Sequence, residues 1–328
     1  MQAQNAMEHY NQQTPPNQFN YLLQFFGSGS EYFKIMIVNW LLTLLTLGLY
    51  YPWARAKKLQ YIYKNTALNN DRFHFAGTGN EMFKGFIKVI IFYLTVVGIF
   101  IVLLKVLQIP VLAVLFLYAS IFAIIPFAIH GSLRYRMSRT TYRGIRFGYR
   151  GDRNEFVKNT YKWFLFTICT FGIYGSWMQM NIRRYTHGNI RYGDVTFEND
   201  ADGGDYFLLN LKGYFLSLFT FGIYSFWWMR DLFNYYVNQT EIKRGNQRIN
   251  LQSTATGGAF FELLVINAII TIFTLGFGKA WADMRTQKFI MDHIKMQGNI
   301  NINEITQTEE EYKDAFGDDV MDFFEIDI

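Results

Sequence analysis

The run Thr43-Leu44-Leu45-Thr46-Leu47-Gly48-Leu49-Tyr50-Tyr51-Pro52-Trp53 ends a stretch, Ile35 to Ala54, that holds no Asp, Glu, Lys or Arg. Its pattern places a Gly two residues after a Thr and a Trp five residues after that Gly. It returns as Thr167, Thr170, Gly172, Tyr174, Trp177, as Ser217, Thr220, Gly222, Tyr224, Trp227, and as Thr271, Thr274, Gly276, Gly278, Trp281, where Gly replaces Tyr. Four registers agreeing at four or five positions read as duplication. The Gly residues are expected to allow a sharp bend through positive φ or close approach, and the Tyr and Trp residues to anchor that bend at a membrane interface.

Each copy closes a charge-free gap. The gaps are Ile35 to Ala54, Val89 to Leu104, Val106 to Leu133, Trp163 to Ile182, Gly213 to Met229 and Leu263 to Gly278. Their lengths match the roughly 17 to 25 residues that a spanning helix needs. Only 17% of the 328 residues are charged while 19% are aromatic, against about 25% charged in ordinary soluble domains. The chain therefore reads as an integral membrane protein. The lone cysteine, Cys169, excludes an intramolecular disulfide and a Cys metal cluster. Residues 307–328 carry nine acids against Lys313, so the rest of this net +5 chain carries +13. A basic body beside a bilayer suggests anionic headgroups before nucleic acid.

A second pattern precedes the apolar stretches: alternating apolar residues, a Gly-containing turn, an acid and an aromatic. It reads Phe25, Gly27, Gly29, Glu31, Phe33, then Phe73, Phe75, Gly77, Gly79, Glu81, Phe83, with weaker copies at Phe147 to Phe156, Val195 to Phe207 and Ile249 to Phe260. Such runs predict half-buried strands. Ile300 and Ile302, alternating with Asn299, Asn301 and Asn303, predict a last strand. Trp53 and Trp227 each open an amphipathic helix. Val89 to Leu104 and Val106 to Leu133 lack the bend and meet at Gln108-Ile109-Pro110, which predicts an inserted transmembrane hairpin. The expected fold is a predominantly α-helical membrane protein with short strands, built from units of strand, turn, membrane helix, bend and amphipathic helix. The expected divisions are a disordered leader 1–20, a first unit 21–82, the inserted hairpin 83–133, three further units 134–306 and an acidic tail 307–328.

The block from Phe25 to Gly85, with its Gly-x-Gly-x-Glu turn, Asn39, the Thr-x-x-Thr-Leu-Gly-x-Tyr run and Pro52-Trp53-Ala54, resembles the YjgN-like family of uncharacterised bacterial inner-membrane proteins. The likeness extends to about Ile305. It implies a multi-pass inner-membrane location and supplies no catalytic residues. Pro52 has no counterpart in the three later copies.

Loops Trp53 to Met82 and Ser132 to Lys162 carry 5 and 9 bases, which makes their side cytoplasmic by the positive-inside rule. Simple alternation would put equivalent strands on opposite faces, where they could not pair. A bend that returns the second helix to its side of origin would leave every strand cytoplasmic.

Thr43 and Thr46, Thr167 and Thr170, Ser217 and Thr220, and Thr271 and Thr274 each share a helix face, extended by Asn39 and Asn267 four residues earlier. Small hydroxyl residues let helices pack closely; intramembrane polar groups also line pathways. The first function expected is transport, a channel or lipid handling through this polar Thr/Asn face. The alternative is a non-catalytic scaffold using the strands and the acidic tail, with a protein partner or a second copy. Membrane lipids are the expected partners, and no nucleic acid. No nucleophile arrangement, phosphate loop or His-x-x-x-His spacing is present, so no enzyme activity, metal or cofactor is expected.

Overall fold

The computed structural model describes residues 19–308. The leader before Phe19 and the tail after Thr308 lie outside them. Eleven short strands occur: β1 (Phe19–Tyr21), β2 (Leu23–Phe25), β3 (Thr66–Leu68), β4 (Asp71–Phe75), β5 (Thr140–Tyr142), β6 (Ile145–Tyr149), β7 (Ile190–Tyr192), β8 (Val195–Asn199), β9 (Thr240–Arg244), β10 (Gln247–Ser253) and β11 (Ile294–Gly298). Two-residue turns with positive φ join the pairs, at Asn69-Asn70 and Arg143-Gly144 among others, the geometry that matches the twist of a hairpin. All pairings are antiparallel, in the order β1-β11-β10-β9-β8-β7-β6-β5-β4-β3-β2.

The two ends of that order are one strand interrupted at Leu22. β1 pairs with β11, with Tyr21 opposite Met296, and β2 pairs with β3, with Phe25 opposite Thr66. At the break the Leu22 amide donates to Asn69 Oδ1 at 2.8 Å and the Asn69 amide to the Leu22 carbonyl at 2.9 Å. The sheet thus becomes a nearly closed, barrel-like ring, which removes the edges that open sheets must protect. Tyr21, Tyr142, Tyr192, Val195, Ile242, Ile249 and Met296 form its core, and Phe73, Phe147 and Phe197 pack against it. The Tyr142 hydroxyl donates to the Leu68 carbonyl at 2.7 Å and that of Tyr192 to the Tyr142 carbonyl at 3.0 Å. Burial pushes the Tyr142 hydroxyl up to about 12 and that of Tyr192 above its ordinary value, which keeps both protonated as donors.

Among the described residues ten α-helices alternate with these strand pairs: α1 (Gly29–Leu45), α2 (Tyr51–Asn65), α3 (Gly79–Ile101), α4 (Pro110–Ser138), α5 (Arg153–Cys169), α6 (Gly175–Gly188), α7 (Gly203–Phe219), α8 (Ser225–Asn238), α9 (Gly257–Phe273) and α10 (Lys279–Asp292). They make five antiparallel hairpins. Each helix packs on its neighbours in chain order, and α10 closes on α1, so the helices form a ring as the strands do. The returning helices α2, α4, α6, α8 and α10 also lie against β4, β6, β8, β10 and β2.

Two contacts set this arrangement. At the base of each hairpin the outgoing helix starts on an N-cap side chain: Ser28, Thr78, Asp152, Asp202 or Thr256. In four of the five hairpins a tyrosine three or four residues from the end of the returning helix bonds that cap; α10 carries Phe289 there. Tyr61 donates to the Ser28 carbonyl at 3.1 Å, Tyr185 to Asp152 at 2.8 Å, Tyr235 to Asp202 at 2.7 Å and Tyr135 to Thr78 at 3.4 Å. Between hairpins, Trp53, Trp177, Trp227 and Trp281 lie over Gly79, Gly203, Gly257 and Gly29, the first residues of the next outgoing helices. A Cβ at Gly79 would run into the Trp53 indole. Trp281 over Gly29 closes the ring.

Several expectations are corrected. The fold is not a predominantly helical membrane bundle with incidental strands, because every strand belongs to one ring. Among the described residues only Gly79–Val106 and Pro110–Ser138 are long and apolar enough to cross a bilayer. The physical reason is that each charge-free gap with a bend is shared by two helices. Of Ile35 to Ala54, α1 takes the part up to Leu45 and α2 begins at Tyr51. Phe19 and Asn20, expected in the leader, open β1. The last strand is Ile294–Gly298 rather than the Ile300 and Ile302 alternation. Ile300 instead tucks into the ring, fully buried, its carbonyl accepting the Tyr21 hydroxyl, and Ile302–Glu304 forms a 3-10 turn.

Candidate functional site

The four bends share one backbone. Leu47, Phe171, Phe221 and Leu275 have φ of 51°, 52°, 48° and 51°, and Gly48, Gly172, Gly222 and Gly276 follow at 92°, 93°, 88° and 92°. The glycine amides donate to the carbonyls of Thr43, Thr167, Ser217 and Thr271 at 2.7 to 2.8 Å, the six-to-one bond that ends a helix on a left-handed residue. Thr46, Thr170 and Thr220 accept from the amides of Tyr50, Tyr174 and Tyr224 at 2.9 Å, and Thr274 from Gly278 at 2.6 Å. Tyr50, Tyr174 and Tyr224 stack on Trp53, Trp177 and Trp227.

The polar stripes lie apart, each in the seam of its own hairpin. Thr43, Thr46, Thr167, Thr170, Thr220, Thr271 and Thr274 donate to carbonyls four residues back on their own helix. Asn39 reaches the Ala54 carbonyl at 3.5 Å, and Asn267 reaches Ala282 at 3.3 Å and the Thr286 hydroxyl at 3.0 Å, all on the returning helix. The Asn39 and Asn267 side-chain Oδ1 atoms and the Ser217 hydroxyl are buried without a partner. This arrangement suits close packing, with hydroxyls spent on their own backbone. The tip residues have the opposite character. Leu47, Phe171, Phe221 and Leu275 are 94%, 99%, 98% and 87% exposed.

The site that residue patterns missed is a cavity of about 440 Å³ between α2, α3, α4 and the first turn of α5. Its wall is apolar, with Leu59, Phe86, Val89, Phe92, Ile124 and Phe127 among the lining residues. Four cations border it, Arg55, Lys88, Arg136 and Arg153, and no Asp or Glu lines it. Arg136 is held by its own helix, Nε donating to the Ser132 carbonyl at 3.4 Å. His130, 1% exposed, bonds the Gly151 carbonyl through Nε2 at 2.9 Å and makes the back of the wall. None of the Thr or Asn stripe residues lines this cavity, and of the bend region only Tyr51 and Pro52 do. Its volume falls in the usual range of ligand pockets. The signal available beforehand was the placement of Arg55 and Lys88 at the edges of apolar gaps, each with no acid within five residues. Among the described residues no group of three or more His, Cys, Asp or Glu could hold a metal.

The sequence profile of a family described as bacterial protein of unknown function, DUF898, matches residues 20–218 and again 215–323. The chain belongs to the DUF898 family. Among curated relatives, inner membrane protein YjgN of Salmonella typhimurium is 39% identical over 132 residues, which is 40% of this chain and 32% of the relative. Inner membrane protein YjgN of Escherichia coli O157:H7 is 35% identical over 125 residues, 38% of this chain and 30% of the relative. That of Escherichia coli K12 is 34% identical over 132 residues, with 40% and 32% covered. The matched stretch thus spans about a third of each relative. No solved structure matches. The resemblance read from Phe25 to Gly85 is to the right family, and the coarse expectation of a bacterial membrane protein agrees with these DUF898 relatives.

Proposed function

We propose that this DUF898 protein handles lipid at the inner membrane, with the strand ring on the cytoplasmic side and the helical hairpins reaching into the bilayer. The cationic, acid-free mouth of the apolar cavity is the observation that carries the reading, since it combines the two chemistries of an anionic amphiphile. The four short hairpins would enter only the near leaflet. A helix of 17 residues is about 25 Å long, and part of that length lies beside the strand ring. A bulky residue in the left-handed region costs roughly 1–2 kcal/mol, and an exposed Phe in water forgoes about 2–3 kcal/mol of burial. Lipid around Phe171 and Phe221 removes the second penalty, which water cannot. Only α3 and α4 would cross, since they alone have the length. The shared bend geometry also supports duplication as the origin of the four short hairpins.

The hydroxyl stripes fit this reading as packing seams, so the cavity, rather than the Thr/Asn face, is taken as the working site. The scaffold alternative draws on the strands, which pair with one another in the ring, and on the acidic tail, which lies outside the described residues. The test is lipid movement between leaflets in vesicles reconstituted with the full chain. Ala128→Trp, which fills the cavity, is expected to slow movement at least several-fold, whereas Thr43→Val should leave it near wild type. Movement unaffected by Ala128→Trp contradicts the proposal.

A further inference from the structure

We infer that the cavity between α2, α3 and α4 holds the headgroup phosphate and upper acyl carbons of one anionic phospholipid from the leaflet beside the strand ring. The inference rests on the lipid-handling reading and names the class of its ligand.

Charge carries it first. Several bases elsewhere find acids: Lys58 pairs with Asp283 at 3.1 Å, Arg139 with Glu81 at 2.8 Å, Arg143 with Asp71 at 3.0 Å and Arg244 with Asp194 at 2.8 Å. Arg55 and Lys88 make no ion pair among the described residues, although both border an apolar cavity. Leaving two cations together without an anion is unfavourable wherever water is scarce, so an anionic ligand is what their placement lacks. A guanidinium and an ammonium bordering one cavity suit a phosphodiester, which Arg can grip in two places.

Depth carries it second. Lys88 is the last charge before Val89 to Leu104, which puts it where headgroups give way to acyl chains. Below it the wall is Val89, Phe92, Ile124 and Phe127, which offer nothing to a free phosphate and a matching surface to methylenes. With no carboxylate in the lining, a choline or ethanolamine cation has no counter-charge there, so the site favours a net-anionic lipid over a zwitterionic one.

The experiment uses the purified full chain in a neutral detergent. It is titrated separately with phosphatidylglycerol, phosphatidylcholine and inorganic phosphate, and bound species are counted by native mass spectrometry. Phosphatidylglycerol should bind about tenfold more tightly than phosphatidylcholine. Arg55→Ala and Lys88→Ala should each remove about fivefold, the effect of one base near an anionic surface. Lys64→Ala, on α2 outside the cavity lining, should change nothing, and thermal unfolding of all three variants checks that they fold. Lys88→Arg, which keeps the charge, should retain the preference. Equal affinity for the two lipids, or a preference untouched by both alanine variants, overturns the inference. So does millimolar inorganic phosphate displacing the lipid, which would mark a free-anion site. Selective binding without lipid movement would sink the lipid-handling reading alone. Movement blocked by Ala128→Trp without selective binding would sink only the ligand assignment.

Discussion

The α3–α4 hairpin and three of the four short hairpins share a base and differ at the tip; in α9–α10 Phe289 stands where the others carry the tyrosine, and no acid stands in the first turn after the Thr256 cap. Tyr61, Tyr185 and Tyr235 stand 30 residues after the acidic residue of their first turn, Glu31, Glu155 and Asp205, while Tyr135 stands 54 after Glu81. The cap, the carboxylate and the tyrosine are otherwise equivalent. The long hairpin is therefore the same base with 24 more residues, about 18 Å on each leg. It also replaces the Gly-Tyr bend by a π-helical turn, Val102–Val106, and Gln108 at φ 54°. The comparison shows that the capped start belongs to the ring, common to all five hairpins, and that tip length sets how far each extends from it.

That difference can be broken in order of expected effect. Val96 is 6% exposed on α3, so Val96→Lys adds a buried cation to a helix long and apolar enough to cross a bilayer. It should cost at least about 3 kcal/mol and abolish insertion of the long hairpin, read as loss of protein from the membrane fraction. Next, Gly79→Ala forces a methyl into the Trp53 indole. It should destabilise by about 1–3 kcal/mol in detergent unfolding, and Gly203→Ala should match it, since Trp177 stands over Gly203 in the same way. Tyr185→Phe removes the hydroxyl that ties α6 to the Asp152 carbonyl. It should cost about 1 kcal/mol, and Tyr135→Phe should cost the same if the long hairpin shares the base.

The smallest effect concerns pH. His187, in the last turn of α6, is pushed down to about 4, chiefly by burial and then by the Arg183 charge. Its neutral form is the one the fold prefers. The contribution is therefore complete above the ordinary histidine value of about 6.5 and is lost as pH falls towards 4. Unfolding midpoints measured between pH 7 and 4 should drop, and His187→Gln should flatten that drop. An identical slope in the variant would assign it to other groups.

The bends were legible because positive φ leaves a local mark: Gly48, Gly172, Gly222 and Gly276 stand where the pattern placed them. The turn at Gln108 to Pro110 was legible for the same reason. β3, β5 and β7 were not, since three residues such as Ile190–Tyr192 are too short to show a period of two. The Trp53 and Gly79 contact joins residues on different hairpins, so local patterns split it into an anchor and a turn. The cavity was hidden because Arg55, Lys88, Arg136 and Arg153 converge only once the helices close their ring. The charge-free gaps have spanning lengths although each one with a bend is shared by two helices, because a run of apolar residues does not show where the chain turns.

The central claim is one-sided depth, and single-cysteine labelling in a Cys169→Ser background tests it most directly. Impermeant reagents applied to either face of sealed membranes should reach Gly245→Cys only from the cytoplasmic side and Gln108→Cys only from the opposite side. Phe171→Cys should be reached from neither. Labelling of Phe171→Cys from the face opposite the strand ring would mean that a short hairpin crosses the bilayer, and would contradict the account.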